Sequence, residues 1–380
     1  MEKINSTGNL GGTNGKSPRI LVAPLDWGLG HATRCIPVIY ELVTKGTNVW
    51  LAGEGKQEAI LKQEFPGLPF LTLPGYQVRY GRSALELLKN IIFQTPRIIK
   101  MINQENEWLK KAVDDHGFDA VISDNRFGLY HHKIPSVFIT HQLLIKTPFK
   151  KWADHILQKR NYSYINRFTE CWIPDNEKNS LAGDLSHPEL LPAIRAHYIG
   201  LLSRLKKNNI PEKRDHLFIS LSGPEPQRTL LENKIIKEIA GYKGAATIVR
   251  GLPGNATIIP STNDIKIYNH LPTGQYNKEM EQAEYVISRS GYSTVMDIAT
   301  LNKRSVLIPT PGQTEQEYLA SYLSEKQFAF SVLQKEFSLN EALNKAKEFT
   351  YKVNDMSESN LSGTIGSFLN QLKDHKPALG

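Results

Sequence analysis

The sequence predicts an α/β protein made of two Rossmann-like, doubly wound domains that face each other across a cleft. Short apolar runs alternate with helical patterns along most of the 380 residues, which is typical of parallel sheets covered by helices. The polar and basic stretch 202–215 interrupts this alternation once, and it then begins again. Loops rich in glycine and serine follow several strands, at the end where doubly wound sheets bind ligands.

The domain organisation follows from the same alternation. Residues 1–18 are polar and glycine-rich and lack an apolar run, so we interpret them as a flexible leader rather than a secretory signal. An N-terminal domain is predicted at 19–201, a linker at 202–215 and a C-terminal domain at 216–352. Residues 353–380 are expected to form a final helix and a tail that pack back on the N-terminal domain.

The N-terminal domain begins with a βαβ unit. Residues 19–23 form an apolar, β-branched run, and the next apolar positions, from Ile36 to Val43, recur at helical spacing before Gly46 ends the helix. A strand at 48–53 completes the unit. The remaining predictions are a helix at 55–64, a strand at 69–73, a helix at 84–114, and strands at 119–123 and 135–139.

The C-terminal domain repeats the alternation from residue 216 and predicts a second parallel sheet. Its strands are expected at 216–222, 246–250, 265–267, 285–288 and 304–308. Its helices are expected at 226–240, 273–282, 292–301 and 314–326, and the final amphipathic helix at about 357–373.

Composition excludes several classes of protein. The two cysteines, Cys35 and Cys171, are too few for a disulfide framework or a cysteine-based zinc cluster, and they fit a reducing, cytoplasmic location. No apolar run is long enough to span a membrane. The net charge of +8 favours phosphate-bearing ligands or an anionic membrane surface, because motifs for nucleic-acid binding are missing. We therefore expect no nucleic-acid partner.

The first candidate site is the loop 26–31, DWGLGH, which directly follows the first strand. Gly28 and Gly30 permit a tight turn and a close approach of the backbone, and the following helix offers free N–H groups. His31 at this helix N-terminus is a candidate general base, and a simple capped turn is the structural alternative. Thr33 stands where a dinucleotide fingerprint needs its third glycine, so NAD is not expected.

Polar residues also follow two further strands of the N-terminal domain. Asp124 ends the strand 119–123, and His141 follows the strand 135–139. Because the carboxyl ends of parallel strands share one edge of a sheet, both residues are candidates for a catalytic site. Capping by Asp124 and a hydrogen bond from His141 to a loop carbonyl are the structural alternatives.

Three loops of the C-terminal domain are predicted to bind a nucleotide. The first holds Ser222 and Gly223, whose hydroxyl and N–H groups suit a diphosphate. The second, 288–297, runs from a strand into a helix and places a carboxylate where it suits a ribose diol; the third, 309–317, offers groups for sugar hydroxyls. The candidates in these two loops are Arg289, Ser290, Gly291, Thr294, Asp297, Gln313, Gln316 and Glu317. Ordinary capped turns are the alternative.

The last two segments, SRSGYSTVMDIA and VLIPTPGQTEQEYLA, resemble the C-terminal donor site of MurG-like glycosyltransferases, the family 28 group with the GT-B fold. DWGLGHATR resembles the family's N-terminal glycine-rich loop, and IPSVFITHQ resembles its second N-terminal motif. The resemblance implies an inverting glycosyltransferase that uses helix dipoles, hydroxyls and basic side chains instead of a metal or another cofactor. The sequence has no DxD motif, which agrees with this expectation.

The resemblance also implies roles for single residues. Under the resemblance, Asp297 binds the donor ribose, and the diphosphate is held by Ser222, Ser290 and Gly291. Gln316 and Glu317 contact the donor sugar. The turns at Arg250 and His270 lie beside the base. Arg289 is a candidate cation for the leaving group or a partner in a structural salt bridge. His31 acts on the acceptor as general base, with Asp124 as the alternative. This sequence departs from the family pattern at two places. The family has a glutamate where Asp297 stands, and it has small residues where Asp26 and Trp27 stand.

We hypothesise a UDP-hexose or UDP-N-acetylhexosamine donor and a hydroxyl acceptor on a glycan or a lipid-linked molecule. Segments 82–111 and 144–168 combine apolar, aromatic and basic residues, and such surfaces can rest on the inner face of an anionic plasma membrane. A solvated basic helix face is the alternative. Two other functions stay open on this fold: an epimerase or hydrolase of the nucleotide sugar, and a non-catalytic partner protein that binds it.

Overall fold

The computed structural model describes residues 17–76, 84–147, 151–352 and 359–374, with the backbone alone for 84–96 and 151. The predicted leader therefore lies almost wholly outside the described residues. Within the described ranges, every helix is too short or too polar to cross a lipid bilayer.

The N-terminal domain contains a seven-stranded parallel sheet. Its strands are β1 Arg19–Pro24, β2 Asn48–Gly53, β3 Phe70–Thr72, β4 Ala120–Asp124, β5 Ser136–Ile139, β6 Glu170–Ile173 and β7 Arg195–Tyr198. Its helices are α1 Leu29–Thr44, α2 Gly55–Glu64, α3 Ala84–His116 and α4 Lys151–Ile165. The strand order is β3-β2-β1-β4-β5-β6-β7, so the direction of winding reverses between β1 and β4.

The C-terminal domain contains a six-stranded parallel sheet with the same kind of reversal. Its strands are β8 His216–Ser220, β9 Ala245–Val249, β10 Ile265–Tyr268, β11 Tyr285–Ser288, β12 Ser305–Leu307 and β13 Phe330–Ser331. Its helices are α5 Gln227–Ile239, α6 Thr273–Glu281, α7 Tyr292–Leu301, α8 Thr314–Glu325 and α9 Leu339–Glu348, and α10 Leu361–Asp374 follows. The order β10-β9-β8-β11-β12-β13 reverses between β8 and β11.

The central strands are buried on both faces, as expected for sheets covered by helices on each side. In β1 every residue after Arg19 is buried, and all five residues of β8 are buried. A continuous apolar cluster joins the two domains, since it contains Trp172 of β6 together with Met296 of α7 and Leu319 of α8. The domain boundary is therefore partly an apolar interface.

The predicted fold of two Rossmann-like domains is confirmed, and the differences concern single elements. The sequence did not predict three strands, β6, β7 and β13, or two helices, α4 and α9. Charged residues interrupt the apolar pattern of β6 and β7, and β13 has only two residues. The predicted strand 216–222 is shorter in the structure, since β8 ends at Ser220 and the next two residues belong to a loop.

The segment 202–215 contains no helix or strand, and part of it lies against the C-terminal domain. Leu202 and Leu205 are buried there. The helix α10 lies against the N-terminal domain, where the Phe368 ring meets the Trp172 ring edge to face with centroids 5.6 Å apart. Burial of these apolar side chains stabilises the packing of the segment 202–215 on the C-terminal domain and of α10 on the N-terminal domain.

Candidate functional site

In doubly wound sheets the reversal of strand order marks the edge where ligands bind, and residues beside the two reversals meet at one boundary between the domains. In the N-terminal sheet, the loop before α1 and the end of β4 flank the reversal. In the C-terminal sheet, the loops after β8 and β11 flank it. The helices α1 and α7 meet across the boundary, where Ser293 Oγ donates a hydrogen bond to the Gly30 carbonyl at 3.0 Å.

Gly30 is required by this contact between the domains. A Cβ atom at Gly30 would lie 2.7 Å from Ser293 Oγ, which is shorter than any ordinary contact. The absence of a side chain therefore lets the two helix N-termini approach. Gly30 is also a candidate contact for the donor nucleotide sugar, and that role stays a prediction.

His31 and Asp124 meet on the N-terminal side of the boundary. His31 Nδ1 lies 2.9 Å from Asp124 Oδ1, and the Asp124 side chain has no exposed surface. Arg34, one turn after His31 on α1, donates from Nε and Nη2 to both oxygens of Asp124. Burial would raise the pKa of Asp124, but the ion pair with Arg34 and the contact with His31 hold it well below its usual range.

The environment of His31 favours the neutral imidazole. Burial is the largest effect that lowers its pKa, and the positive charge of Arg34 lowers it further, while Asp124 acts in the opposite direction. The Nδ1 atom faces Asp124 and Arg34 Nη2, each at 2.9 Å. Nδ1 therefore faces both an acceptor and a donor: if it donates to Asp124, Nε2 carries a free lone pair, and if it accepts from Arg34, the proton lies on Nε2.

His141 joins this group to the C-terminal domain. Its Nε2 atom lies 2.8 Å from Glu315 Oε1 on the first turn of α8, and Gln142 also donates to Glu315. The Tyr292 ring of α7 stacks on the imidazole with a centroid distance of 4.2 Å. Burial would raise the pKa of Glu315, but the hydrogen bond and charge of His141 and the charge of Arg34 lower it.

Arg289 is buried without a carboxylate partner. Its side chain has no exposed surface, and among the residues that the structure describes it forms no ion pair. Its Nη atoms donate to backbone carbonyls, with Gln227 O at 2.8 Å and Pro309 O at 3.2 Å. Burial lowers its pKa to about 10. The structural salt bridge that was the alternative for Arg289 is therefore not seen among the described residues.

Two unpartnered polar atoms lie beside the backbone of Gly223. Arg289 Nε and Thr310 Oγ1 are buried, and neither has a hydrogen-bond partner among the described residues. A Cβ atom at Gly223 would lie 3.9 Å from Arg289 Nε and 3.4 Å from Thr310 Oγ1. Gly223 has a φ angle of +105°, which favours glycine, so the loop exposes its backbone here.

Asp297 lies apart from this pair, on the side that faces the interdomain segment. It is 8% exposed, and Ser203 Oγ donates to its Oδ1 atom at 2.5 Å. Burial raises the pKa of Asp297 to about 6, while Arg204 and Ser203 oppose the increase. The Arg204 guanidinium lies 4.9 Å from the centroid of the Tyr276 ring.

The polar residues of the loop after β12 mainly shape that loop. Gln316 Oε1 accepts from the Thr310 N–H at 3.0 Å, and Glu317 Oε1 accepts from the Gly312 N–H at 2.8 Å. Gln316 Nε2 also donates to Gln313 Oε1. Contacts of Gln313, Gln316 and Glu317 with a donor sugar stay predictions.

The other predicted donor residues differ in position. Ser290 is buried and donates to the Gln316 carbonyl at 2.7 Å, whereas Ser222, Gly291 and Thr294 are half-buried near the boundary. Arg250 is buried in an ion pair with Glu232 and also donates to Asn269 and to the Thr257 carbonyl. Its guanidinium fastens the loop after β9 to α5, so a donor contact there also stays a prediction.

The structure thus brings His31, Asp124 and His141 into one group and places Arg289 beside Gly223. No prediction covered Arg34 or the pair Ser203–Arg204, and Thr310 and Glu315 were covered only as members of the loop 309–317. Arg34 carried a signal, because it lies three residues after His31 and shares its helix face. The pair Ser203–Arg204 carried none, since the segment reads as a polar linker.

Comparison with known proteins gives a consistent picture. Residues 260–376 match the model of the glycosyltransferase family 28 C-terminal domain. A UDP-N-acetylglucosamine–N-acetylmuramyl-(pentapeptide) pyrophosphoryl-undecaprenol N-acetylglucosamine transferase of Haemophilus ducreyi is 23% identical over 322 residues, which cover 83% of this chain and 85% of that protein. The transferase of the same description from Desulforudis audaxviator is 32% identical over 107 residues, 26% of each chain.

Solved structures share the fold. The glycosyltransferase SnogD of Streptomyces nogalater has a TM-score of 0.61 at 14% identity and covers 94% of this chain and all of its own, 100%. The glycosyltransferase of kitacinnamycin has the same TM-score, 0.61, at 14% identity, with 95% and 96% covered. These matches confirm the predicted resemblance to family 28 and the GT-B fold. They do not favour an epimerase, a hydrolase or a non-catalytic partner protein.

Proposed function

We propose that this chain, a family 28-like glycosyltransferase with the GT-B fold, moves a hexose or N-acetylhexosamine from a UDP-sugar to a hydroxyl acceptor, with inversion and without a metal. The observation that carries the proposal is the buried guanidinium of Arg289, which forms no ion pair within the described part of the chain, beside the exposed backbone of Gly223. A nucleoside diphosphate supplies the missing negative charge.

The cost of burying an unpaired charge explains why a ligand belongs there. A buried guanidinium is strongly desolvated, and carbonyl groups compensate for it only in part. A diphosphate against Gly223 would accept hydrogen bonds from Arg289 Nε and Thr310 Oγ1, the two atoms without partners. The negative charge that develops on the leaving diphosphate would be stabilised by the same donors.

The helix α7 supports this assignment. It begins at Tyr292, directly after the loop of Arg289, and its N-cap residue, Gly291, has no side chain that could cap it. Free N–H groups at a helix start carry partial positive charge and favour phosphate. The diphosphate would therefore lie between Gly223 and the start of α7.

The nucleoside would extend from the diphosphate toward Asp297. A carboxylate can accept hydrogen bonds from both ribose hydroxyls, and Asp297 already accepts one from Ser203. The neighbouring Arg204 favours the ionised carboxylate. The choice of UDP over other nucleotides rests on the names of the two transferases from Haemophilus ducreyi and Desulforudis audaxviator.

His31 is proposed as the general base. Its lowered pKa keeps the imidazole neutral at physiological pH, which a proton acceptor requires. Asp124 is fully buried and paired with Arg34, so it orients the imidazole rather than accepting the proton itself. Direct attack by the acceptor hydroxyl on the side opposite the diphosphate would invert the anomeric centre.

The acceptor is proposed to be a glycan or a lipid-linked molecule, and the chain is proposed to act in the cytoplasm at the membrane surface. The Haemophilus ducreyi transferase names a pyrophosphoryl-undecaprenol acceptor. On α4, Trp152 is 64% exposed and Ile156 is 57% exposed, with Lys159 and Arg160 following on the same helix. Exposed apolar side chains one turn apart, next to basic ones, suit an anionic membrane surface.

Thermal unfolding with UDP, GDP, dTDP, CMP, ADP and NAD tests the donor site. Binding to the folded state raises the melting temperature, so UDP should stabilise the wild type. Arg289→Met and Asp297→Asn should lose this stabilisation. Arg214→Gln, at a side chain that is 93% exposed, is the matched control and should keep it. If no nucleotide stabilises the wild type, or if Arg289→Met responds to UDP like the wild type, the proposed donor site is wrong.

A further inference from the structure

Arg34 lies at the centre of a buried polar group that spans both domains. On one side it pairs with Asp124, which also contacts His31. On the other side its Nη1 atom lies 3.2 Å from His141 Nδ1, and His141 contacts Glu315 of α8. Four side chains from both domains therefore depend on the position of one guanidinium.

The chemistry of the guanidinium fixes the tautomer of His141. Arginine has only hydrogen-bond donors, so His141 Nδ1 must accept from Arg34. The proton of the neutral imidazole then lies on Nε2, from which it is donated to Glu315 Oε1 at 2.8 Å. Arg34 thus prepares His141 to bind a carboxylate of the other domain.

We propose that Arg34 is a positioning residue through which Glu315, on the donor-side helix α8, sets the protonation of His31 in the opposite domain. The inference rests on the proposed role of His31 as general base. Glu315 lies between Gln313 and Gln316, in the loop and helix start predicted to contact the donor sugar. A change in the position of this donor-side segment would therefore change the protonation of His31 on the other side of the boundary.

The charges around His31 determine the direction of the effect. The titratable and polar groups that face this network are Arg34 and Cys35 from α1, Asp124 from β4, His141 and Gln142 after β5, Tyr292 from α7 and Glu315 from α8. Arg34 carries the positive charge that opposes protonation of His31. Glu315 favours the positive charge of Arg34 and also interacts directly with the charge of His31, so it opposes part of the effect of Arg34. Removal of the Arg34 charge and removal of the Glu315 charge should therefore shift the pKa of His31 in opposite directions.

The test is an NMR titration of the full chain labelled with ¹³C and ¹⁵N in histidine, with the His31 signal assigned by its loss in His31→Gln. Arg34→Gln should raise the pKa of His31, because a neighbouring positive charge is removed. Glu315→Gln should lower it, because the charge of Arg34 loses its compensation. Glu325→Gln, an exposed glutamate at the far end of α8, is the control and should leave it unchanged. The ¹⁵N shifts of His141 should report the Nε2–H tautomer in the wild type.

Several results would overturn the inference. A pKa of His31 that is the same in Glu315→Gln and in the wild type would do so, and so would the Nδ1–H tautomer of His141. Arg34→Gln leaves Asp124 buried without its partner, so Arg34→Lys is the substitute if that variant does not fold. Arg34→Lys keeps the positive charge but not the two-pronged contact with Asp124. It should therefore change the tautomer ratio of His141 and leave the pKa of His31 close to that of the wild type.

The same samples distinguish the failure of this inference from that of the proposed function. If UDP stabilises the chain but the two charge variants do not shift His31 in opposite directions, the donor site stands and the coupling is wrong. If the opposite shifts occur without any response to UDP, the coupling stands and the donor is wrong.

Discussion

Replacement of Asp297 by asparagine should make the ligand-free protein more stable at neutral pH. The carboxyl group is 8% exposed, and burial raises its pKa from 3.8 to about 6. Between these values the folded state binds a proton that the unfolded state has released, so the stability of the wild type falls as pH rises through this range. At pH 7 the penalty is about 3 kcal/mol, since each unit is worth about 1.4 kcal/mol.

The amide introduced by Asp297→Asn does not titrate, and its oxygen can still accept the hydrogen bond from Ser203. Urea denaturation should therefore give this variant a higher free energy of unfolding at pH 7 and 8, with the gain vanishing near pH 4. The exposed Asp264→Asn is the control for the change in net charge. The reasoning is refuted if Asp297→Asn is less stable than the wild type at pH 7, or if its gain persists at pH 4. A confirmed gain would mean that the carboxylate is kept at the expense of stability, as is common for ligand-binding groups.

Three further predictions concern the boundary and the surface. Gly30→Ala should destabilise the protein by about 1–3 kcal/mol, because its Cβ would lie 2.7 Å from Ser293 Oγ, and Ser293→Gly should restore the stability in the double variant. Asp124→Asn should cost about 3–5 kcal/mol in urea unfolding, because it leaves the buried Arg34 unpaired, and a loss below about 1 kcal/mol would contradict the ion pair. Trp152→Ser with Ile156→Ser should reduce co-sedimentation with anionic phosphatidylglycerol vesicles; Ile258→Ser, at a residue 78% exposed, is the control, and equal sedimentation of all three proteins would contradict a membrane contact through α4.

The fold was predictable because the central strands are continuous apolar runs, as burial on both faces requires. The strand β6, with the sequence ECWI, was not predicted because Glu170 is charged. In the structure Glu170 is buried and pairs with Arg195. A contact with β7, far along the chain, makes that glutamate acceptable in a strand, and no local pattern contains this information.

The candidate site was predictable in its loops but not in its pairings. Strand ends and glycines drew attention to His31, Asp124, His141 and Arg289. The network depends on contacts between distant residues, such as His141 with Glu315, which are 174 positions apart. The burial of Arg289 without an ion-pair partner among the described residues was also not predictable, because the sequence does not tell which arginine will be buried or how it will be paired.

The chain crosses between the domains twice, once before the segment 202–215 and again between α9 and α10. Because α10 rests on the N-terminal domain beside Trp172, this helix belongs by its packing to the N-terminal domain although it follows the C-terminal domain in the chain. Full separation of the two domains would therefore also have to remove α10 from its apolar contacts with the N-terminal domain.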